Sequence, residues 1–429
     1  MRVYLDTVGC RLNQSEIEKL AANFRVGGHE IVASAAQADI VVINTCAVTA
    51  EAASDSRQKI RQAARQGAGQ IIVTGCWATL EPVQAAALPR VSRVVPNAEK
   101  MRLVADLTGM PLYDLEPITR EPLPGAHWRT RAFIKVQDGC DNFCTFCVTR
   151  IARGKGRSES AEAVVREVQA ALAGGAKEIV LSGVHLGSWG QDLRPPRHLR
   201  HLIQIILKET DVPRLRLSSL EPWDLDEAFF RLWENPRLCR HLHLPLQSGC
   251  AQTLRRMARK ITPEGYAALL EQARQAIPGL AVTTDIIVGF PGEDEAEFEA
   301  SLEFVEAMAF AGGHVFAYSP RPGTPAARLP GQVPPAMKKE RSRRMREVLA
   351  RASLRFRRAF LGAEVQVLWE AVDGLGPQGW RLRGLSDNYL HVEAFAPAPL
   401  WNQISQVRLV DLSEQGVVGQ VLIPAVTHS

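Results

Sequence analysis

The segment Gly139-Cys140-Asp141-Asn142-Phe143-Cys144-Thr145-Phe146-Cys147 places three cysteines in a C-x3-C-x2-C spacing. Thiolates are soft ligands that suit iron, and a four-iron cluster takes four ligands. Three local cysteines therefore predict a 4Fe–4S cluster held at three irons, with the fourth iron open. The alternatives are a zinc site, although zinc usually takes four ligands in C-x2-C pairs, and three unrelated buried cysteines.

The pattern around this triplet predicts a barrel or a partial barrel. Apolar strand patterns alternate with helical patterns such as residues 161–173, and this alternation indicates parallel strands joined by helices. The predicted strands are residues 133–136, 178–183, 215–218, 241–246, 282–288 and 314–318.

The N-terminal part alternates in the same way and predicts an open parallel sheet. Predicted strands at residues 2–6, 39–43 and 70–73 are followed by Cys10, Cys46 and Cys76 respectively. Carboxyl ends of parallel strands share one edge of a sheet, where open α/β folds build their sites. We therefore expect a second three-cysteine cluster, the alternative being unrelated buried cysteines. Cys239 and Cys250 do not follow this arrangement and are expected to be structural.

Near the start of this part, the pair Asn13 and Glu16 has the spacing of a capping box and is expected to begin a helix.

The C-terminal third changes from helical to strand periodicity. Residues 338–358 contain ten Lys or Arg and two Glu in a helical pattern, and the short strand patterns that follow predict a small β-barrel. The expected organisation is α/β: an N-terminal open sheet (1–108), a linker (109–125), a central partial barrel of six β/α units with its basic helix (126–358), and the β-barrel (359–425).

Composition limits the class of protein. The 429 residues are 46% hydrophobic and 23% charged, which is typical of a folded globular chain. No apolar run approaches the roughly 20 residues of a membrane span, and no signal-peptide pattern is visible, so a cytoplasmic protein without disulfides is expected. A net charge of +5 permits a nucleic-acid partner without requiring one.

Further segments match a known family. They are Gly9-Cys10-Arg11-Leu12-Asn13-Gln14, Asn44-Thr45-Cys46-Ala47-Val48-Thr49, Gly75-Cys76, Ala152-Arg153-Gly154, Pro245-Leu246-Gln247-Ser248-Gly249 and residues 285–293, DIIVGFPGE. Together with residues 139–147 they resemble the methylthiotransferases, a family of radical-SAM enzymes, over essentially the whole chain. The resemblance implies a radical-SAM barrel, an auxiliary cluster on Cys10, Cys46 and Cys76, and an RNA-binding C-terminal barrel of the TRAM type.

The resemblance also implies two 4Fe–4S clusters and S-adenosylmethionine as cofactors. One S-adenosylmethionine would serve as methyl donor. A second, bound at the Cys140/Cys144/Cys147 cluster, would be cleaved to a radical that removes hydrogen from C2 of an adenine. The expected cofactor contacts are Phe146 near the adenine ring, Gly174, Gly175 and Glu178 as a GGxxE motif near the methionine moiety, and Ser218, Gln247 and Asp285.

Three branches of the family differ in substrate. Cys46-Ala47-Val48-Thr49 and Ser56-Arg57-Gln58 most resemble the branch that modifies N6-threonylcarbamoyladenosine at tRNA position 37. The alternatives are isopentenyladenosine in tRNA and an aspartate of a ribosomal protein. A non-catalytic iron–sulfur redox sensor that binds RNA is the alternative outside the family. The expected partners are a tRNA anticodon loop, which proteins read by stacking and backbone contacts, and an electron donor such as flavodoxin or ferredoxin.

Candidate RNA contacts lie in the C-terminal third. The aromatic residues of the barrel are expected to contact RNA bases; the alternative is that they are buried in the barrel core. The helix at 338–358 is expected to contact RNA phosphates; the alternative is that its cations form a solvated face. The barrel candidates are Trp369, Trp380, Tyr389, Phe395, Trp401, Arg381 and Arg383. Arg150 stands where the family usually has a proline.

Overall fold

The computed structural model describes residues 1–109 and 130–422. Most of the predicted linker therefore lies outside the described residues. Within the described ranges, none of the helices combines the length and apolar character needed to cross a membrane.

The N-terminal part is a five-stranded parallel sheet with helices on both faces. Its strands are β1 (Arg2–Thr7), β2 (Glu30–Ile31), β3 (Ile40–Thr45), β4 (Gln70–Gly75) and β5 (Val91–Val95); its helices are α1 (Arg11–Val26), α2 (Ala50–Arg65), α3 (Cys76–Leu80), α4 (Pro82–Ala86) and α5 (Leu103–Thr108). The strand order is β2-β1-β3-β4-β5. All six residues of β3 are buried, as expected of a strand covered on both faces.

The capping-box prediction for Asn13 and Glu16 is wrong. Helix α1 begins at Arg11 with Cys10 at its N-cap, and no side chain caps it. Asn13 and Glu16 are buried instead. Their spacing places both on the face of α1 that packs against the rest of the molecule, where their polar groups bond to other elements.

The central part contains six parallel strands in the order β6-β9-β10-β11-β12-β13, and isolated bridges link β10 to β11. The prediction of a partial six-stranded barrel is confirmed. The six strands are β6 (Arg131–Lys135), β9 (Glu178–Ser182), β10 (Arg214–Leu217), β11 (His241–His243), β12 (Ala281–Val288) and β13 (Gly312–Ala317). Two short strands, β7 (Gln137–Asp138) and β8 (Arg157–Ser158), form a separate antiparallel pair. The helices of the central part are α6 (Thr149–Arg153), α7 (Ala161–Ala173), α8 (Leu199–Glu209), α9 (Glu227–Phe230), α10 (Ala251–Arg256), α11 (Pro263–Ala276), α12 (Glu295–Ala307) and α13 (Pro335–Arg358).

The C-terminal part is the predicted β-barrel, closed in the order β14-β15-β16-β18-β17. Its strands are β14 (Glu364–Gly376), β15 (Gly379–Ser386), β16 (His391–Ala396), β17 (Ile404–Leu412) and β18 (Val417–Val421). Trp369 is fully buried in the barrel core, so its predicted RNA contact is wrong. Phe395 is 44% exposed, and it pairs across the sheet with Arg381.

The barrel docks on the central part through the end of β15 and the connection from β15 to β16. Arg214 and Arg216 donate to backbone carbonyls of Leu385 and Ser386, respectively. Tyr389 stacks on His241, with ring centroids 4.0 Å apart and planes inclined by 8°. The Tyr389 ring therefore contributes to the junction between the two parts.

The basic helix α13 is partly neutralised by carboxylates of α12, of the N-terminal flank of α12 and of α13 itself. Among the described residues, five of its ten cations form ion pairs with carboxylates, and they are Arg341, Arg343, Arg344, Arg351 and Arg355. Arg341 is buried against Glu293 at 2.9 Å. Arg341 is therefore unavailable to RNA, and phosphate binding by the more exposed cations of this helix stays a prediction.

Candidate active site between two cysteine sets

A cavity of about 880 Å³ lies where the three parts of the chain meet. The N-terminal sheet lines it with Cys10, Cys46 and Cys76. The central barrel contributes polar side chains from strand ends and inner faces, namely Ser182, Ser218, His241, His243, Gln247, Thr283 and Asp285. Helix α13 and the C-terminal barrel complete it with Phe356, Arg357, Tyr389, His391 and Gln415.

The structure brings the three N-terminal cysteines together at the carboxyl edge of the adjacent strands β1, β3 and β4. A Cβ atom at Gly9 would lie 2.6 Å from the Cys46 Sγ, so the loop that carries Cys10 passes directly against Cys46. Gly9 has a φ of +99°, a conformation that suits glycine. Burial raises the pKa of the Cys46 thiol to about 11, and the charges of Cys10 and Cys76 add to the rise.

The central triplet lies on the loop after β7. Gly139 has a φ of +71°, and a Cβ there would lie 1.9 Å from the carbonyl oxygen of Lys155. This position therefore requires glycine. The close approach of the two backbone segments here allows the Cys140 amide to donate to the Gly154 carbonyl at 3.1 Å. Thr149, two residues beyond Cys147, lines the cavity.

Comparison with known proteins identifies the family. Residues 134–305 match the Radical SAM superfamily, and residues 2–95 match an uncharacterized protein family, UPF0004. The chain is 36% identical to a threonylcarbamoyladenosine tRNA methylthiotransferase, MtaB, of Thermotoga maritima, covering 97% of this chain and 96% of that protein. The chain belongs to the methylthiotransferase family of radical-SAM enzymes.

Other relatives agree with this assignment. The MtaB of Bacillus subtilis is 35% identical over 95% of this chain and 93% of its own length. A tRNA-2-methylthio-N(6)-dimethylallyladenosine synthase of Caldicellulosiruptor saccharolyticus is 30% identical over 98% and 92%. The solved radical S-adenosylmethionine methyltransferase TsrM of Kitasatospora setae has a TM-score of 0.58 at 17% identity, covering 76% of this chain and 75% of that chain, and it shows a likeness of fold.

The cofactors of this methylthiotransferase are S-adenosylmethionine and 4Fe–4S clusters, and its cysteines fit the clusters. N–H groups point at a sulfur atom of each set: the Asn142 amide at the Cys140 Sγ (3.4 Å), Arg259 at the Cys144 Sγ (3.7 Å) and Asn97 at the Cys76 Sγ (3.5 Å). Hydrogen bonds of this kind orient the sulfur ligands of a cluster and tune its reduction potential. Among the described residues, no three His, Cys, Asp or Glu side chains converge on a site for one metal ion. A 4Fe–4S cluster does not need such a site, because each of its thiolates binds a different iron.

A buried ionic network joins the two cysteine-bearing parts of the enzyme. The Glu16 carboxylate accepts hydrogen bonds from Lys100 at 2.6 Å and from Arg153 at 2.8 Å. Arg153 also donates to Asn13 at 2.7 Å and to Asp138 at 2.9 Å. Burial alone would raise the pKa of Glu16, but the Lys100 and Arg153 charges outweigh it and hold that pKa well below its ordinary value. The network fixes α1 against the loop of the central triplet.

The predicted cofactor contacts divide into two groups. Ser218, Gln247 and Asp285 line the cavity, and Phe146 packs edge-on against Phe290, with ring centroids 6.4 Å apart. Their roles toward the cofactor remain predictions.

The prediction for Gly174, Gly175 and Glu178 is wrong. These residues lie at or before the start of β9, whereas Ser182 at its carboxyl end lines the cavity. The Glu178 carboxylate is fully buried and bound by Arg214 and Arg216, both at 2.7 Å. It therefore has no free surface to offer a cofactor.

Sequence reasoning missed His185, which lies beside the central triplet. His185, two residues past Gly183, bonds to Asp224 at 2.6 Å and to Asn142 at 3.4 Å. Burial alone would lower the pKa of His185, but hydrogen bonds to Asp224 and Cys140 outweigh it and raise that pKa to about 10. The signal was present in the sequence, because His185 follows the strand β9 as the cysteines follow theirs.

Arg150, which stands where the family resemblance leads us to expect a proline, lies in the first turn of α6. Its guanidinium carbon lies 3.7 Å from the centroid of the Phe143 ring, which is 70% exposed within the triplet. This cation–π contact braces the loop where the proline is missing. Cys239 and Cys250 are buried free cysteines outside the cavity lining.

Proposed function

We propose that this methylthiotransferase inserts a methylthio group at C2 of N6-threonylcarbamoyladenosine at position 37 of tRNA. The observation that carries the proposal is a cavity lined on one side by Cys10, Cys46 and Cys76 and on the other by the radical-SAM barrel, which includes Thr149 just beyond the central triplet. The names of the relatives at 33–36% identity support the threonylcarbamoyladenosine substrate.

In this proposal Cys140, Cys144 and Cys147 hold the radical-SAM cluster, and Cys10, Cys46 and Cys76 hold the auxiliary cluster. When bound, these groups and S-adenosylmethionine supply the hydrogen-abstracting radical and the sulfur for transfer. A C–H bond on an aromatic ring offers no acidic proton, so acid–base residues alone cannot perform the reaction. The electron for the cleavage would come from a small carrier such as flavodoxin or ferredoxin.

The protein's own residues bind and orient the reactants. Gln247, Ser218 and Asp285 offer polar groups toward the cavity. Asp285 keeps one oxygen within 3.3 Å of the His243 Nε2, and its other oxygen is buried without a partner among the described residues. That oxygen is placed to accept an N–H from the bound cofactor or from the base. The Glu16–Arg153 pair holds the two cysteine sets at a fixed separation.

The C-terminal barrel is proposed to hold the RNA, as a TRAM-like domain. Phe395, Arg381 and Arg383 share one exposed face of its sheet. Aromatic and guanidinium groups stack on unpaired bases, and cations contact phosphates. Arg381 and Arg383 pair with Glu393 and Asp373 at exposed positions, where such pairs are weak enough to exchange for phosphate.

A cysteine series tests the division of labour. Cys10→Ala, Cys46→Ala and Cys76→Ala should each retain 5′-deoxyadenosine formation and lose methylthiolation of tRNA. Cys250→Ala is the matched control, because Cys250 is also a buried free cysteine but lies outside the cavity lining, and it should retain both activities. Methylthiolated product from the triple variant would contradict the proposal.

Mass analysis of nucleosides tests the substrate. The reconstituted enzyme is incubated with tRNA that carries either threonylcarbamoyladenosine or isopentenyladenosine at position 37. Product is expected from the first RNA alone. Product from isopentenyladenosine alone, or from a ribosomal protein aspartate instead of tRNA, would reassign the enzyme to another branch.

A further inference from the structure

Arg11 occupies an unusual electrostatic position in the cavity wall. It directly follows Cys10, lines the cavity and is only partly exposed. Its Nη2 donates to the hydroxyl of Tyr389 at 2.8 Å, and its guanidinium carbon lies 5.9 Å from the centroid of the Phe133 ring. Among the described residues, no carboxylate forms an ion pair with Arg11. A partly buried cation without a counter-charge is unusual, because desolvation of a charge is costly.

The other cations that line the cavity are already engaged. Arg153 is bound by Glu16 and Asp138. Arg357 directs its Nη1 at the carbonyl oxygens of Ser413, Glu414 and Gly416, at 3.2–3.4 Å. Asp285 is the single carboxylate among the lining residues, and it pairs with His243. Arg153 is neutralised and Arg357 is held by carbonyl oxygens, whereas Arg11 bonds, among the described residues, to the Tyr389 hydroxyl alone. Arg11 is therefore the cation of this wall best placed for an anionic ligand.

Tyr389 adds a second donor at the same place. Its hydroxyl oxygen accepts from Arg11, so the hydroxyl hydrogen is left to donate to a ligand. Stacking on His241 holds the ring. His241 is fully buried, and its pKa is lowered well below the ordinary value by burial first and by Arg216 second, so it stays neutral and adds no competing charge. A guanidinium and a phenol thus converge from the N-terminal sheet and the C-terminal barrel.

We propose that Arg11 and the Tyr389 hydroxyl form the subsite for the carboxylate of the threonylcarbamoyl group, and that this subsite selects an anionic N6 substituent. The inference rests on the proposed function. A guanidinium binds a carboxylate through two parallel hydrogen bonds. An apolar isopentenyl chain in the same place would leave the partly buried cation without a counter-charge, and sites that leave a polar group unpaired on binding discriminate against such ligands.

The test uses anticodon stem-loop RNAs that differ only at the end of the N6 chain. One carries threonylcarbamoyladenosine, a second carries the neutral carboxamide of the same group, and a third carries isopentenyladenosine. The reconstituted holoenzyme should prefer the first RNA. Arg11→Gln should lower kcat/KM for the carboxylate RNA by roughly 10- to 100-fold, which is the usual range for loss of a charge-assisted hydrogen bond, and it should abolish the preference over the carboxamide RNA.

Three further variants complete the series. Arg11→Lys keeps the charge without the bidentate geometry and should restore part of the preference. Tyr389→Phe keeps the stacked ring and should lower the preference several-fold, which preserves the test if Arg11→Gln assembles poorly. Arg61→Gln, an exposed arginine of the same sheet domain, is the control and should leave kcat/KM unchanged. Iron content is measured for every variant.

The outcomes separate the two claims. If Arg11→Gln and Tyr389→Phe lower kcat/KM equally for the carboxylate and carboxamide RNAs, Arg11 has a phosphate-binding or structural role and the subsite is refuted. If the wild-type enzyme modifies the isopentenyl RNA and not the threonylcarbamoyl RNA, the proposed function fails instead.

Discussion

Replacement of Glu16 by Gln should weaken the junction between the two cysteine-bearing parts. The Glu16, Lys100 and Arg153 side chains are each no more than 2% exposed, so bulk water cannot replace the lost charge. Removing one partner of such a buried ion pair costs about 3–5 kcal/mol, because Lys100 would stay buried without a carboxylate, while Arg153 would keep only its ion pair with Asp138. A typical stability of about 5–15 kcal/mol makes that a large fraction of the total.

Urea denaturation of the reconstituted enzyme, followed by tryptophan fluorescence, measures this cost. The matched control is Asp39→Asn, which breaks the Arg2–Asp39 pair at a similar distance of 2.9 Å but with side chains 54% and 46% exposed. Exposed pairs contribute about 0–1 kcal/mol, so the control should unfold almost as the wild type does. A second variant, Glu16→Gln with Lys100→Met, should recover part of the loss, because one stranded charge is removed.

The reasoning has two clear points of failure. A free-energy change below about 1 kcal/mol for Glu16→Gln would show that water reaches the network. Wild-type methylthiolation in a destabilised Glu16→Gln enzyme would show that the network supports the fold without positioning the cysteine sets.

Three other predictions follow from individual contacts. Glu178 has its pKa lowered to about 2, because Arg216 and Arg214 outweigh the opposing effect of burial; its contribution to stability should be complete above about pH 4.5 and be lost as the pH falls toward 2. The free-energy difference between wild type and Glu178→Gln should therefore shrink over that range, and a constant difference would contradict the assignment. Gly139→Ala should reduce iron at the central triplet, because the added Cβ would meet the Lys155 carbonyl at 1.9 Å; full iron content and normal spectra would refute this. Phe395→Ala with Arg381→Ala should weaken tRNA binding and flatten its salt dependence, and unchanged affinity would remove this face from the proposed RNA surface.

The contacts between the C-terminal barrel and the central part make truncation of the barrel a poor test of RNA binding. Deletion of the residues after Gly362 would remove Tyr389 from the cavity wall. It would also leave Arg214 and Arg216 without the carbonyl oxygens of Leu385 and Ser386, to which they donate. A loss of tRNA binding in such a truncation would therefore mix several effects. Point substitutions on the exposed face of β15 and β16 avoid this problem.

The sequence was sufficient for the architecture and for the two cysteine sets. Period and spacing reveal strand ends, and Cys10, Cys46 and Cys76 each follow one. The sequence was insufficient where a motif depends on which end of a strand it occupies. The segment that ends at Glu178 matches a cofactor motif in sequence, but it lies at the amino end of β9. The Glu178 carboxylate forms ion pairs with two arginines of β10 and is not free to bind a cofactor.

Contacts between distant parts of the chain were also beyond sequence reasoning. Asn13 and Glu16 have the local spacing of a helix cap. Only the folded chain shows that Asn13 accepts a hydrogen bond from Arg153 and that Glu16 forms ion pairs with Lys100 and Arg153. Tyr389 was expected on the RNA-binding barrel surface, but it lies in the cavity wall, because the connection after β15 docks on β10 and β11.

Transfer of deuterium from C2 of the target adenine tests the central claim most directly. The enzyme is incubated with tRNA in which the threonylcarbamoyladenosine carries deuterium at C2, and the products are analysed by mass. A radical made at Cys140, Cys144 and Cys147 that acts in the shared cavity should place the deuterium in 5′-deoxyadenosine and yield a methylthiolated nucleoside that has lost it. Methylthiolated nucleoside formed without deuterium in the 5′-deoxyadenosine would contradict the account.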